Sequence, residues 1–207
     1  MSLHVVLVHP EIHWNTGNAG RTCLATGATL HLIEPLGFSL DEREVKRAGL
    51  DYWEHVDVRV WPSWEAFEAV LPTLGEPFFF STKGTTLFWD APLASANGAT
   101  PDATAPSATA PSATAPSATA TSATATSATA PSATATNATA TNGTVPLGTV
   151  LVFGRETGGL PAELHERYAD RFVTLPMHSS RVRSLNLSTS VAVAVYEVLR
   201  QTRDAGR

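Results

Sequence analysis

The sequence predicts an α/β protein built on a parallel sheet with helices on both faces. Three observations carry this. Unbroken apolar runs recur along the chain, as expected of strands buried on both sides. Helix-like stretches alternate with them. Polar, glycine-rich segments follow several of the runs, where the carboxyl ends of parallel strands gather ligands.

The elements follow in order. Residues 3–8, LHVVLV, form a continuous apolar run closed by Pro10. Residues 18–26 read as a helix ending at Gly27, and residues 29–33 as a second strand before Pro35 and Gly37. A short helix is expected over residues 40–48 and a strand over 56–61. Residues 63–71 form a helix with Ser63 as its N-cap and Glu65 and Glu68 near its start. Phe78-Phe79-Phe80-Ser81 is a buried strand, and residues 148–153 are another. A helix over 161–167 carries proline in its first turn. Residues 171–175 are a strand stopped by Pro176. The last helix spans 185–200, where Leu185, Val191, Val195 and Val198, with small Ala192 and Ala194, form a buried stripe.

Residues 94–144 stand apart. They hold Ala, Thr, Ser, Pro, Asn and Gly with one acid, Asp102, and no large apolar side chain. Such a segment cannot offset the entropy of ordering, so a disordered surface loop is expected there. From Pro106 it repeats PSATA, then drifts through TSATA and TNATA, the mark of replication slippage tolerated at a loop tip. Loop-closure cost grows only logarithmically with length, so the array need not unfold its host. Residues 1–93 and 145–207 remain as a single domain.

Composition excludes several classes. Cys23 is the only cysteine in the 207 residues, so an intrachain disulfide and a cysteine zinc cluster are ruled out. No apolar run approaches a membrane span. The N-terminal run lacks a basic leader and a long apolar core, so a cytoplasmic location is expected, with neither membrane nor metal as a partner. GxGxxG and Walker A sequences are missing too.

Four segments at strand ends can carry chemistry. Asn15-Thr16-Gly17-Asn18-Ala19-Gly20-Arg21 follows the first strand and suits a tight turn, with helix-start amides free for an anion. Its plain alternative is an Asn cap and a surface Arg. Gly154-Arg155-Glu156-Thr157-Gly158-Gly159-Leu160 follows the strand at 148–153, and its glycines let backbone approach a ligand. Leu175-Pro176-Met177 leads into residues 178–183. Ser184-Leu185-Asn186-Leu187-Ser188 opens the last helix, where Ser184 is positioned to cap it and Asn186 needs a polar partner.

In this order, the four segments resemble the SPOUT (trefoil-knot) RNA 2′-O-methyltransferases. The resemblance is strongest to the small TrmL-type enzymes that modify the tRNA wobble nucleotide, cytidine or uridine. It runs through NTGNxxR at residues 15–21, HLIEPLGF at 31–38, KRAGLDY at 46–52 and STKGT at 81–85. It continues through LVFGRETGGLP at 151–161, LPM at 175–177 and SLNLSxSVAV at 184–193. The KRAGLDY stretch is a subfamily signal that separates the chain from SPOUT ribosomal RNA enzymes.

The resemblance implies a Rossmann-like parallel sheet whose C-terminal part threads a deep trefoil knot. It implies a homodimer with the site at the interface, S-adenosylmethionine as cofactor and tRNA as partner. Carried over by motif, Phe80, Gly154, Glu156, Leu175, Met177 and Ser184 line the cofactor site. Arg21, Ser184 and Asn186 match catalytic positions. Asn15, Arg43, Lys46, Arg47, Lys83 and Arg183 fall where RNA is contacted. Arg21 is not expected to act as a base, because a guanidinium does not deprotonate in proteins. Gripping a phosphate and polarising the ribose hydroxyl suits it better.

The chain departs from the family pattern in three places. His13-Trp14 replaces the usual Pro-Pro before NTGN, and Trp14 is free either to stack on a base or to pack at a dimer surface. One extra residue lies between Met177 and Ser184. The array interrupts the connection between Thr85 and Gly148, ahead of the expected knot. The net charge of −5 is unusual for an RNA binder, so affinity is expected from local patches such as Arg43, Lys46, Arg47, Arg181 and Arg183. Alternative readings are a SPOUT methyltransferase for ribosomal RNA or another tRNA position, and a non-catalytic RNA-binding module of the same fold.

Overall fold

The apolar run Leu3–Val8 is strand β1, buried along its whole length. Helix α1 (His13–Thr26) follows and ends on Gly27, whose φ of 72° is the left-handed cap that only glycine adopts without cost. Next come β2 (Thr29–Ile33), a 3-10 turn at Trp53–His55, and β3 (Val58–Trp61). Helix α2 (Trp64–Glu68) is capped by the Ser63 hydroxyl, which accepts from the Ala66 amide at 3.4 Å. A one-turn helix α3 (Leu71–Leu74) leads into β4 (Gly75–Phe80) and the short β5 (Thr86–Leu87). The rest is β6 (Gly148–Phe153), α4 (Ala162–Arg167), β7 (Phe172–Thr174) and α5 (Leu187–Asp204). These elements come from a computed structural model that describes residues 2–40, 51–91, 148–179 and 181–204. The helix expected over 40–48 and the array lie outside the described residues.

The strands form one parallel sheet in the order β3-β2-β1-β6-β4-β7-β5. The chain lays β1, β2 and β3 outward in one direction, then crosses back and builds β4 on the far side. Strand β6 fills the gap and pairs with both β1 and β4. The sheet is therefore closed only when sequence from both sides of the array comes together. The crossover at β1 and β6 is the position where doubly covered sheets open a crevice at their carboxyl edge.

Alternate strand residues feed separate cores, as side-chain parity requires. Leu3, Val5, Leu7, Leu30, Leu32 and Leu151 pack with Ala19 and Cys23 of α1 and with Val191, Val195 and Val198 of α5. Val6, Val8, Ile33, Val152 and Phe79 pack on the opposite face against Trp64, Phe67, Leu71, Leu160 and Leu164. The expectation of a parallel sheet covered on both faces is met.

Three differences from the sequence reading are informative. Helix α1 starts at His13 rather than residue 18: the amides of Glu11 and Ile12, just ahead of it, are held by Glu156 of a distant loop, and neither Asn15 nor Asn18 caps it. Strand β4 begins at Gly75, in register with Gly148, so pairing extends it beyond its apolar residues. The two-residue β5 is made by pairing with β7 and has no pattern of its own.

Candidate active site

The functional loops gather at the carboxyl ends of neighbouring strands. Phe80 ends β4, Phe153 ends β6 and Thr174 ends β7, and these three strands are adjacent in the sheet. Phe80 is half-buried and stacks on Phe153 with ring centroids 4.4 Å apart. Leu175, half-buried just beyond β7, packs on the same core, while Met177 is 36% exposed. Ser81 donates its amide to the Val173 carbonyl at 3.0 Å, which ties the loop after β4 to β7.

Gly154 begins the loop after β6. A Cβ at this position would lie 2.1 Å from the carbonyl carbon of Gly159, so only glycine lets the arms of the loop close. The Gly159 amide donates to the Arg155 carbonyl at 2.9 Å across the closure. Glu156 and Thr157 form the tip and face the segment between β1 and α1.

There the sequence-predicted residues meet. Glu156 accepts from the Glu11 amide at 2.9 Å, the Ile12 amide at 3.3 Å and Asn15 Nδ2 at 2.9 Å. The anion expected at the start of this helix is thus the protein's own carboxylate, supplied from beyond β6. Asn15 is buried, and its Oδ1 accepts from Asn186 Nδ2 at 2.8 Å. Asn186 Oδ1 in turn accepts from the Ser188 amide at 2.9 Å and the Ser188 hydroxyl at 2.7 Å. Asn186 is therefore the cap of α5. Ser184, expected in that role, lies exposed three residues before the helix starts.

The donors run one way: Asn186 to Asn15, Asn15 to Glu156. The acceptor-only carboxylate at the end fixes the orientation of both amides, since Asn15 must turn Nδ2 toward it. A chain polarised in one direction strengthens each of its bonds. It ties together the ends of β1 and β6 and the start of α5.

Arg21 sits exposed on α1, with its guanidinium carbon 4.7 Å above the ring centroid of Tyr52. The Tyr52 hydroxyl donates to the Gly17 carbonyl at 3.1 Å. Burial raises the Tyr52 phenol above its ordinary range against the opposing pull of Arg21. The ring is therefore a neutral platform that orients the cation. Lys83 and Arg183 are exposed. Arg43, Lys46 and Arg47 lie outside the described residues.

Glu11 takes part in this arrangement from outside every motif, and Thr157 and Tyr52 take part from within GRETGG and KRAGLDY, where the motifs assign them no role. Glu11 follows Pro10 at the carboxyl end of β1, and that position was the available signal. Among the described residues, no cluster of His, Cys, Asp and Glu is arranged to hold a metal, and no helix is long and apolar enough to cross a membrane.

The SpoU rRNA methylase family model matches residues 2–98 and 107–196. This chain belongs to that family. A Burkholderia cenocepacia relative named tRNA (cytidine(34)-2′-O)-methyltransferase is 40% identical over 200 residues, covering 96% of this chain and 94% of the relative. A solved structure described as giving insights into 2-OH methylation of C/U34 on tRNA superposes with a TM-score of 0.67 at 35% identity, over 100% of this chain and 98% of the other. The SpoU methyltransferase AviRb of Streptomyces viridochromogenes, solved with AdoMet, has the same fold at a TM-score of 0.61 and 19% identity, over 100% of this chain and 59% of the other.

Proposed function

We propose that this protein is a tRNA 2′-O-methyltransferase that moves a methyl group from S-adenosylmethionine to the ribose 2′-hydroxyl of wobble nucleotide 34, cytidine or uridine. The observation that carries the reading is the chain from Asn186 through Asn15 to Glu156. It fixes the helix bearing Arg21 to the loops where the family holds its cofactor. The full-length similarity to a tRNA (cytidine(34)-2′-O)-methyltransferase supports the substrate.

The site's residues suit the cofactor. Phe80, Leu175 and Met177 offer apolar surface for an adenine ring and a thioether chain. Gly154 opens the loop at the end of β6, where Glu156, its carboxylate bonded to Glu11, Ile12 and Asn15, shapes the loop tip, and Ser184 is assigned to the cofactor by its motif alone. When bound, S-adenosylmethionine supplies a methyl group already activated on a sulfonium. The protein's task is alignment of the hydroxyl in line with that methyl, a contribution of roughly 7–11 kcal/mol for well-held reactants. Arg21, its guanidinium braced on Tyr52, grips the phosphate beside the target ribose and polarises its hydroxyl. Asn186 holds the helix start against the β1–α1 segment, and Ser184 is assigned to the reacting groups by its place in the motif. Lys83, Arg183, Arg43, Lys46 and Arg47 supply cations for the RNA backbone.

The remaining features of the reading follow from the family. The C-terminal segment from β6 to α5 threads the trefoil knot. Two copies pair through α1 and α5, which pack side by side and expose Trp14, Leu24, Val193, Tyr196 and Leu199. Residues 1–93 and 145–207 form the catalytic domain, residues 94–144 are an insertion in it, and the enzyme works in the cytoplasm.

The test is transfer of labelled methyl from S-adenosylmethionine to unmodified bulk tRNA, followed by nuclease digestion and mass spectrometry. A 2′-O-methyl mark at nucleotide 34 is the expected result. A mark elsewhere would overturn the wobble assignment. Cofactor binding without transfer would favour the binding-module reading.

A further inference from the structure

We propose that Glu11 is a positioning residue for methyl transfer: it holds the loop tip at Thr157 so that the neighbouring Glu156 is presented to Asn15. This rests on the proposed function. Glu11 and the loop exchange bonds in both directions. The Glu11 amide donates to Glu156 Oε2 at 2.9 Å. The Glu11 carboxylate accepts from the Thr157 amide at 3.0 Å and from the Thr157 hydroxyl at 2.8 and 2.9 Å. Two consecutive residues of one loop are therefore gripped by the backbone and the side chain of a single residue on another.

Glu11 has firm backing for this task. The preceding Pro10 carbonyl accepts from the Gly37 amide at 2.9 Å, which anchors the β1–α1 segment to the loop after β2. The Thr157 bonds and nearby Arg155 hold the Glu11 carboxyl below the usual carboxylate range. The grip is thus made by a charged acceptor at neutral pH, the stronger class of hydrogen bond. Glu156 is the terminus of the donor chain from Asn186, so any rotation of the loop tip is passed to Asn15 and the start of α5. Misplacement by about 1 Å at such a remove can cost roughly 100-fold in rate.

The test compares wild type with Glu11→Ala, Thr157→Val and Thr157→Ser by two readouts. The first is amide hydrogen exchange at Ile12, whose acceptor is Glu156 and not Glu11. The proposal predicts exchange at Ile12 faster by about 10-fold in Glu11→Ala, with a smaller rise in Thr157→Val and none in Thr157→Ser. The second is a split of kcat against KM for tRNA. A drop in kcat of about 10-fold or more is expected for Glu11→Ala, with KM and the S-adenosylmethionine Kd held within about 3-fold. Thr157→Ser restores wild-type turnover. Unchanged exchange at Ile12, or kcat within about 2-fold of wild type, overturns the proposal. If Glu11→Ala unfolds, Thr157→Val gives the same two readouts with the backbone bonds kept. A wild-type protein that transfers no methyl group to tRNA would refute the functional reading, while exchange at Ile12 still decides whether the grip positions Glu156.

Discussion

Among the described residues, two of the hydrogen-bonded side-chain networks are built on opposite principles. At the carboxyl edge of the sheet, Asn186, Asn15 and Glu156 join the starts of α5 and α1 to the loop after β6 and end on a carboxylate. Within the sheet, on the face covered by Phe67, His4, His31 and Trp61 form a second chain among buried side chains. Trp61 Nε1 donates to His31 Nδ1 at 3.0 Å. Indole is a donor only, so His31 Nδ1 must accept, and its proton sits on Nε2, 3.1 Å from His4 Nδ1. Both imidazoles are therefore neutral. Burial pushes His31 down to about 3, assisted by His4 and Arg59 and opposed by Asp57, and burial lowers His4 as well. The first chain borders solvent and carries charge. The second excludes charge. The difference teaches that the first serves alignment and the second serves stability, and substitutions should separate the two.

The largest effect is expected at Arg21. Arg21→Ala should lower methyl transfer by about 100-fold or more while S-adenosylmethionine binding stays within about 3-fold. Steady-state kinetics with calorimetric cofactor titration measures both. Retained activity would remove Arg21 from the chemistry and leave the edge chain without its catalytic partner.

The neutral chain should answer to acid. Histidines whose folded pKa is depressed bind more protons when unfolded, so stability is fully present above about pH 6.5 and declines as pH falls toward about 3. Thermal melts of wild type between pH 7 and 4.5 should show this loss. His31→Leu should be less stable at pH 7 by about 2 kcal/mol, since it orphans Trp61 Nε1. Its melting temperature should then vary less with pH. A pH slope equal to wild type would show that the titration belongs elsewhere.

Asn186→Ala sharpens the comparison, because this residue both caps α5 and donates to Asn15. Cap removal should cost about 1 kcal/mol of stability. Turnover should fall further than this unfolding explains. Asn186→Asp keeps the cap but loses the donor, so it should regain stability without regaining turnover. Equal recovery of both would reduce Asn186 to a cap.

Much of this fold was legible in the sequence, for identifiable reasons. Leu3–Val8 and Gly148–Phe153 are buried on both faces, so they read as unbroken apolar runs with sharp ends. Ser63 and Gly27 mark helix ends through local chemistry. The start of α1 was not legible, because the carboxylate that serves it lies at residue 156. The His4–His31–Trp61 chain was hidden for a related reason. Its members belong to three strands, and only the register that sets His31 opposite Arg59 brings Trp61 within reach. Among the site residues, Asn15, Glu156 and Asn186 were flagged by motif, but their mutual bonds were not. Asn15, expected at the RNA, directs its amide to Glu156 and Asn186. Glu11 carries only a positional signal, its place after Pro10 at the end of β1, because a lone carboxylate has no spacing pattern.

The most direct measurement of the central claim uses a tRNA with 2′-deoxycytidine in place of cytidine at nucleotide 34. Wild-type protein should methylate the all-ribose tRNA and leave the dC34 tRNA unlabelled, with both tRNAs bound equally. Equal labelling of the two would contradict the account, since the acceptor would then not be the wobble 2′-hydroxyl.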